Sequence, residues 1–241
     1  MWIEVRICRG CQLTTSNSFN FSLTNAEIVA SAYALLQIRR PSLLAEHMVD
    51  ARIQLNLLLA SWSNLQVNLF NVDLVTVPLV AGTATYAVDP ATIMILDAYI
   101  SFADSTENDR LIFPVSRTEY ASYPNKTAQG TPSVFWFDRL LSPSVTLWYV
   151  PDSVSSYTLK YYRCYQNQDA NLPSGETPAI PYRWLDAMVT GLAGRLSKIY
   201  APALEDKREA DAQKAWNIAA TQDVENVGMT IQPGLDSYYR A

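Results

Sequence analysis

The sequence is poor in the residues that most often carry chemistry. Its 241 residues hold a single histidine, three cysteines and eight glycines, and charged residues make up only 17%. One histidine excludes a two-histidine metal site and leaves His47 as the sole imidazole base for a Ser or Cys triad. No Gly-x-Ser-x-Gly elbow exists to supply the nucleophile, so His47 reads as a helix-surface histidine. An odd number of cysteines argues against a disulfide framework and for a reducing compartment. Cys8 and Cys11 form a C-x-x-C pair, but a structural zinc site needs four ligands and only Cys164 and His47 remain to complete it. A glycine-rich phosphate loop is absent. Gly191 and Gly194 fall inside a helical segment, where they lower helix propensity and permit close packing.

Other absences narrow the class further. No apolar run reaches the ~18 residues of a membrane span. The opening Met1-Trp2-Ile3-Glu4-Val5-Arg6 lacks a charged region followed by an apolar stretch, so a secretory signal is not expected. Eighteen Lys and Arg against 23 Asp and Glu give a net charge of −5, with no basic cluster. A ligand held through its phosphates is therefore not expected. Asp104, Glu107 and Asp109 share one polar turn without the calcium-loop pattern, which fits a solvated turn. No cofactor or metal is called for.

What is present is order and aromatic surface. Hydrophobic residues make up 49%, with 14 Tyr and 6 Trp, side chains that suit strands and interfaces. Thr24-Asn25-Ala26-Glu27 is a capping box that opens a helix carrying Ile28, Ala32 and Leu35, which Arg39-Arg40-Pro41 ends. Leu44, Met48, Ala51, Leu55, Leu59 and Trp62 recur at three- and four-residue intervals and predict a second helix, paired with the first as a hairpin. From residue 72 the period changes to two. Strands are predicted at 75–80 and 84–88 around a turn, then at 93–102, 110–115, 134–138, 145–150 and 157–165. Pro78 cannot donate to a ladder, so its strand belongs at an edge or carries a break. Ser116 to Glu119 reads as a capped helical turn. After a polar loop, residues 182–200 and 204–224 form the third and fourth helices. The last one has a solvated face, with Lys207–Asp211 and Glu205–Arg208 at pairing distance.

The expected fold class is α+β: a four-helix core of two helical hairpins, an inserted antiparallel β region and an extended C-terminal tail. Its parts are an N-terminal extension (1–21), the helical core (22–71 and 182–225), the β region (72–181) and the tail (226–241). The tail ends Asp236-Ser237-Tyr238-Tyr239-Arg240, and adjacent aromatics with an arginine are favoured at interface hot spots.

This order of elements resembles the head-to-tail adaptor proteins of short-tailed bacteriophages, of the tail tubular or packaged-DNA-stabilisation type. The residues that carry the resemblance are 23–32, the helix end 55–62, Pro114-Val115-Ser116-Arg117-Thr118-Glu119-Tyr120, Gly130-Thr131-Pro132-Ser133-Val134-Phe135-Trp136-Phe137-Asp138-Arg139 and Val145-Thr146-Leu147-Trp148-Tyr149-Val150-Pro151-Asp152. The resemblance covers about residues 20–225 and leaves the first 20 without a counterpart.

The resemblance implies a non-enzymatic virion structural protein, assembled in the host cytoplasm. It implies a ring of about twelve copies that joins the portal protein to the tail nozzle protein, extends the DNA channel and helps retain packaged DNA. It places Gly234, Leu235, Tyr238, Tyr239 and Arg240 on the portal, and Asp104, Glu107, Asp109, Asn125 and Lys126 at tips that meet the tail. An acidic channel wall would let DNA slide past. Two rivals stand beside it. One is a carbohydrate-binding or tail-fibre-associated module using exposed Trp136 or Trp148. The other is a hydrolase with two inward carboxylates in one pocket of the β region.

Overall fold

The computed structural model describes residues 18–65, 69–102, 109–154, 156–172 and 175–224. Helix α1 (Asn25–Leu35) opens on the predicted capping box. Thr24 Oγ1 accepts the Glu27 N–H at 3.3 Å, and Glu27 Oε2 accepts the Thr24 N–H at 2.9 Å. It ends earlier than Pro41 implies. Gln37 adopts a left-handed conformation (φ 67°), its N–H donates to the Ala34 carbonyl, and the Ile38 N–H donates to the Tyr33 carbonyl. That is a Schellman closure, here with glutamine where glycine is usual.

Helix α2 (Ala45–Leu65) buries Ala51, Leu55, Leu58, Leu59 and Trp62. Leu44, which the periodicity places on this stripe, lies outside the helix and is exposed. Helix α4 (Leu185–Tyr200) is the centre of the helical part, and α5 (Glu205–Gln222) packs antiparallel along it. The glycines of α4 sit at close approaches. A methyl at Gly191 would stand 3.0 Å from Leu58 of α2, and one at Gly194 would stand 3.4 Å from the Arg208 carbonyl of α5. Of the two expected hairpins, α4 with α5 forms, whereas α1 does not pair along α2: α1 and α2 each lie against α4, meeting where the Tyr33 hydroxyl donates to the His47 carbonyl. Trp184, fully buried, packs against Trp62 and Phe70 at the base of this cluster.

Seven strands form the inserted sheet: β1 (Val72–Pro78), β2 (Thr85–Ala87), β3 (Thr92–Phe102), β4 (Arg110–Pro114), β5 (Val134–Asp138), β6 (Ser144–Trp148) and β7 (Tyr157–Tyr165). Their order is β1-β7-β3-β4-β5-β6-β2. Pro78 therefore lies on an edge strand, as its missing N–H requires. The region is not wholly antiparallel, because β4 and β5 run parallel through Phe113–Val134 and Pro114–Phe135. The connection between them, which contains the short helix α3 (Arg117–Ser122), brings the chain back to start β5 in the same direction.

Nor do β1 and β2 form a hairpin: β1 pairs with β7, β2 pairs with β6, and they lie at opposite ends of the strand order. Yet residues 79–84 alone join them, a link of at most ~25 Å against ~29 Å for the width of seven flat strands. The sheet has to curl. Its inner face gathers Ala98, Ile100, Ile112, Phe135, Val145, Leu147, Tyr157, Leu159 and Tyr161 into a core separate from the helical one. Burying it contributes on the order of 15 kcal/mol against an extended chain, an upper bound.

Candidate docking surfaces

The far end of the sheet is the first surface. Phe102 of β3 lies opposite Tyr157 of β7, and the Tyr157 hydroxyl meets Asp152 Oδ1 at 2.9 Å and Thr131 Oγ1 at 3.3 Å. The end of β3, the segment before β5 and the approach to β7 therefore share one end. Thr92 and Tyr165 mark the opposite end of the same strands, beside the helices, some 27 Å away at ~3.4 Å per residue.

Of the tail-side residues expected from the sequence, Asp109 lies exposed at this far end, just ahead of β4. Asn125 and Lys126 follow α3 and are spoken for within the fold. Lys126 Nζ donates to the carbonyls of Ala121 and Tyr123 at 3.0 and 3.1 Å, capping the end of α3. Asn125 Oδ1 accepts the Thr127 N–H, and its carbonyl accepts the Trp148 indole N–H at 2.9 Å. Asp104 and Glu107 lie outside the described residues, as do Cys8, Cys11, Gly234, Leu235, Tyr238, Tyr239 and Arg240.

Sequence patterns do not show the aromatic stack beside these residues. Tyr120 of α3 stacks on Trp136 at 5.5 Å. Tyr123 stacks on Trp148 at 4.5 Å, and Trp148 on Tyr149 at 3.9 Å. The indole of Trp148 is thus covered on both faces, and Trp136 has one face taken. Sugar rings bind by lying on an open aromatic face. Trp148 offers none, which leaves a glycan-binding reading only the half-buried Trp136, one face of which Tyr120 already takes.

Two carboxylates do meet in one pocket of the β region, with an arginine between them. Arg163 of β7 pairs with Asp73 of β1 at 2.8 Å and with Asp89, ahead of β3, at 2.9 Å. It also donates to Thr92 Oγ1 at 3.1 Å. The Ala91 N–H, and then Arg163, hold Asp89 below the ordinary carboxylate range, and its two partners raise Arg163. A general acid needs the opposite shift. The cluster is a clamp across strands. Among the described residues no group of three or more His, Cys, Asp or Glu could hold a metal ion, and no helix is long and apolar enough to cross a membrane.

His47 is also structural. Its Nδ1 accepts the Leu44 N–H at 3.1 Å, doing for α2 what the glutamate of a capping box does for α1. Its ring stacks on Tyr200 at 4.7 Å and meets Tyr33 edge-on at 5.4 Å. On α5 the ion pairs differ from those expected: Arg208 takes Asp211 at 2.9 Å, and Glu205 faces Lys198 of α4 at 3.8 Å.

The second surface is a groove of about 480 Å³ between α2, α4 and α5. Leu58, Trp62, Leu65, Ile199 and Trp216 form its apolar walls, and Arg195, Lys198 and Glu209 supply its charge. Gly191 and Gly194 of α4 also line it. Here too the sequence gives little signal, since these residues come from three distant helices.

The described residues thus form two separate cores, one helical and one β, each with a candidate docking surface. The chain matches the SU10 adaptor protein family over residues 26–236 and belongs to that family. The resemblance to bacteriophage head-to-tail adaptors is thereby borne out. No curated protein matches the sequence.

Proposed function

We propose that this chain forms a closed ring between the portal and the tail of a short-tailed bacteriophage. In this reading about twelve copies extend the portal channel, help to retain packaged DNA without binding its sequence, and present the platform on which the tail nozzle assembles. The protein assembles in the host cytoplasm and resides in the neck of the virion. The observation that carries the reading is the family match over residues 26–236.

The two-part build supports a division of labour. The helical part and the C-terminal residues Gly234, Leu235, Tyr238, Tyr239 and Arg240 engage the portal. The far end of the sheet, at Asp104, Glu107, Asp109, Asn125 and Lys126, faces the tail. Within that group Asp109 is the exposed carboxylate among the described residues, while Lys126 and Asn125 already serve the α3 turn.

Deleting residues 234–241 tests the portal half of this reading. The shortened protein keeps its circular dichroism, while its capture by immobilised portal falls at least tenfold. Unchanged capture contradicts the assignment of the tail.

A further inference from the structure

The groove between α2, α4 and α5 is apolar on its walls, and its charged groups are two cations, Arg195 and Lys198, against one carboxylate, Glu209. Arg195 donates to Ser61 Oγ at 3.1 Å and makes no ion pair among the described residues, while burial lowers its guanidinium from the ordinary value. Lys198 stands 3.8 Å from both Glu205 and Glu209, a loose distance that leaves it able to serve another acceptor. Trp216, one of the walls, has its indole N–H buried with no acceptor. A partly desolvated guanidinium whose protein partner is a hydroxyl is an incomplete site. An anionic acceptor completes it, on a chain that also brings apolar side chains.

We propose that the groove holds the chain's own C-terminal segment, with the Asp236 carboxylate on Arg195 and the side chains of Leu235, Tyr238 and Tyr239 on the apolar walls. Reach supports this. The described chain ends at Val224, two residues past α5 and about two helical turns beyond Trp216 at the near end of the groove. Gly194, next to Arg195, packs on Ala212, and Val224 lies twelve residues beyond Ala212, about 18 Å along a helix at ~1.5 Å per residue. The twelve residues 225–236 span up to about 40 Å when extended, which is ample.

Charge and composition agree. Asp236 is an anion between Leu235 and two tyrosines, an acceptor for Arg195 flanked by side chains that suit the apolar walls. This goes beyond the portal reading, which uses the same segment on another protein: the groove is where the segment rests before a portal is met. Portal capture is read separately, so either statement can fail alone.

Hydrogen–deuterium exchange of the full chain, with no portal present, is the test. Peptides covering residues 230–240 are expected to exchange about tenfold or more below their intrinsic rate. Arg195→Gln restores the intrinsic rate there while α4 and α5 keep their protection. Asp236→Asn does the same.

In a Cys8→Ser, Cys11→Ser background, Ile199→Cys with Tyr239→Cys yields on mild oxidation a cross-link that migrates as a monomer. Tail amides exchanging at the intrinsic rate in the wild-type chain overturn the proposal. Protection that rises with protein concentration, or cross-linked dimers, overturns it in favour of a neighbouring copy as the occupant.

Discussion

Asn71 donates through its side-chain amide to the side-chain oxygen of Asn167 at 2.6 Å. Asn71 is buried immediately ahead of β1 and Asn167 follows β7, so this one bond closes the neck through which the sheet is inserted. Asn167 then reaches α2, donating to the Leu59 carbonyl at 3.2 Å and to Ser63 Oγ at 3.3 Å. A second tie lies alongside: the buried carboxylate of Asp223 accepts the Leu69 N–H at 3.1 Å and pairs with Arg183. Together they fasten the end of α5, the start of α4 and the approach to β1. An adaptor that transmits position between two partners needs such a junction to be stiff.

Asn167→Ala tests that junction. It strands the buried amide of Asn71 and frees α2 from the sheet, so the expected loss is about 2 kcal/mol. Urea unfolding reads it directly, together with faster amide exchange at the neck. A midpoint within error of wild type would show that the bond adds nothing.

Gln37 gives the opposite sign. Its left-handed backbone costs an L-residue roughly 1 kcal/mol that glycine escapes. Gln37→Gly is expected to raise stability by about 0.5 kcal/mol, and Gln37→Val to lower it.

His47 separates cap from charge. His47→Ala removes the acceptor for the Leu44 N–H and the stack on Tyr200, for an expected loss of about 1–2 kcal/mol. His47→Gln keeps a capping acceptor and recovers part of the loss. Equal losses would assign the whole effect to ring packing.

The acid limb of stability follows from Glu27 and Asp89. Both are held below the ordinary carboxylate range, Glu27 first by the Thr24 backbone N–H and Asp89 first by that of Ala91. The unfolded chain therefore binds protons before the folded one does. Their contribution is complete above the unfolded carboxylate range near pH ~4 and is lost as pH falls through the lowered folded values. Glu27→Gln with Asp89→Asn should flatten the dependence of the urea midpoint on pH below ~4 and leave the slope above ~5 unchanged. An unaltered acid slope contradicts this.

Local chemistry was legible in the sequence wherever one short segment decides it. The capping box at Thr24, the edge position of Pro78, the cap at Ser116 and the close-packing role of Gly191 and Gly194 all appear as read. What failed depends on distant partners. β2 takes β6 rather than β1, because Leu79 bonds to Tyr157 and Gly82 to Pro151, and neither bond is visible from the turn itself. The parallel β4–β5 pair needs the α3 connection, and the groove around Arg195 needs three helices at once. Of the surface residues named in advance, Asp109 stands free, whereas Lys126 and Asn125 are consumed by the turn that carries them.

The central claim is that the chain builds a ring against a portal, and co-sedimentation with the portal of the same phage, read by negative-stain imaging, tests it most directly. The account predicts one additional ring at a single end of the portal, with the sheet ends pointing away from it. No association at micromolar concentration, with both proteins folded, would contradict it.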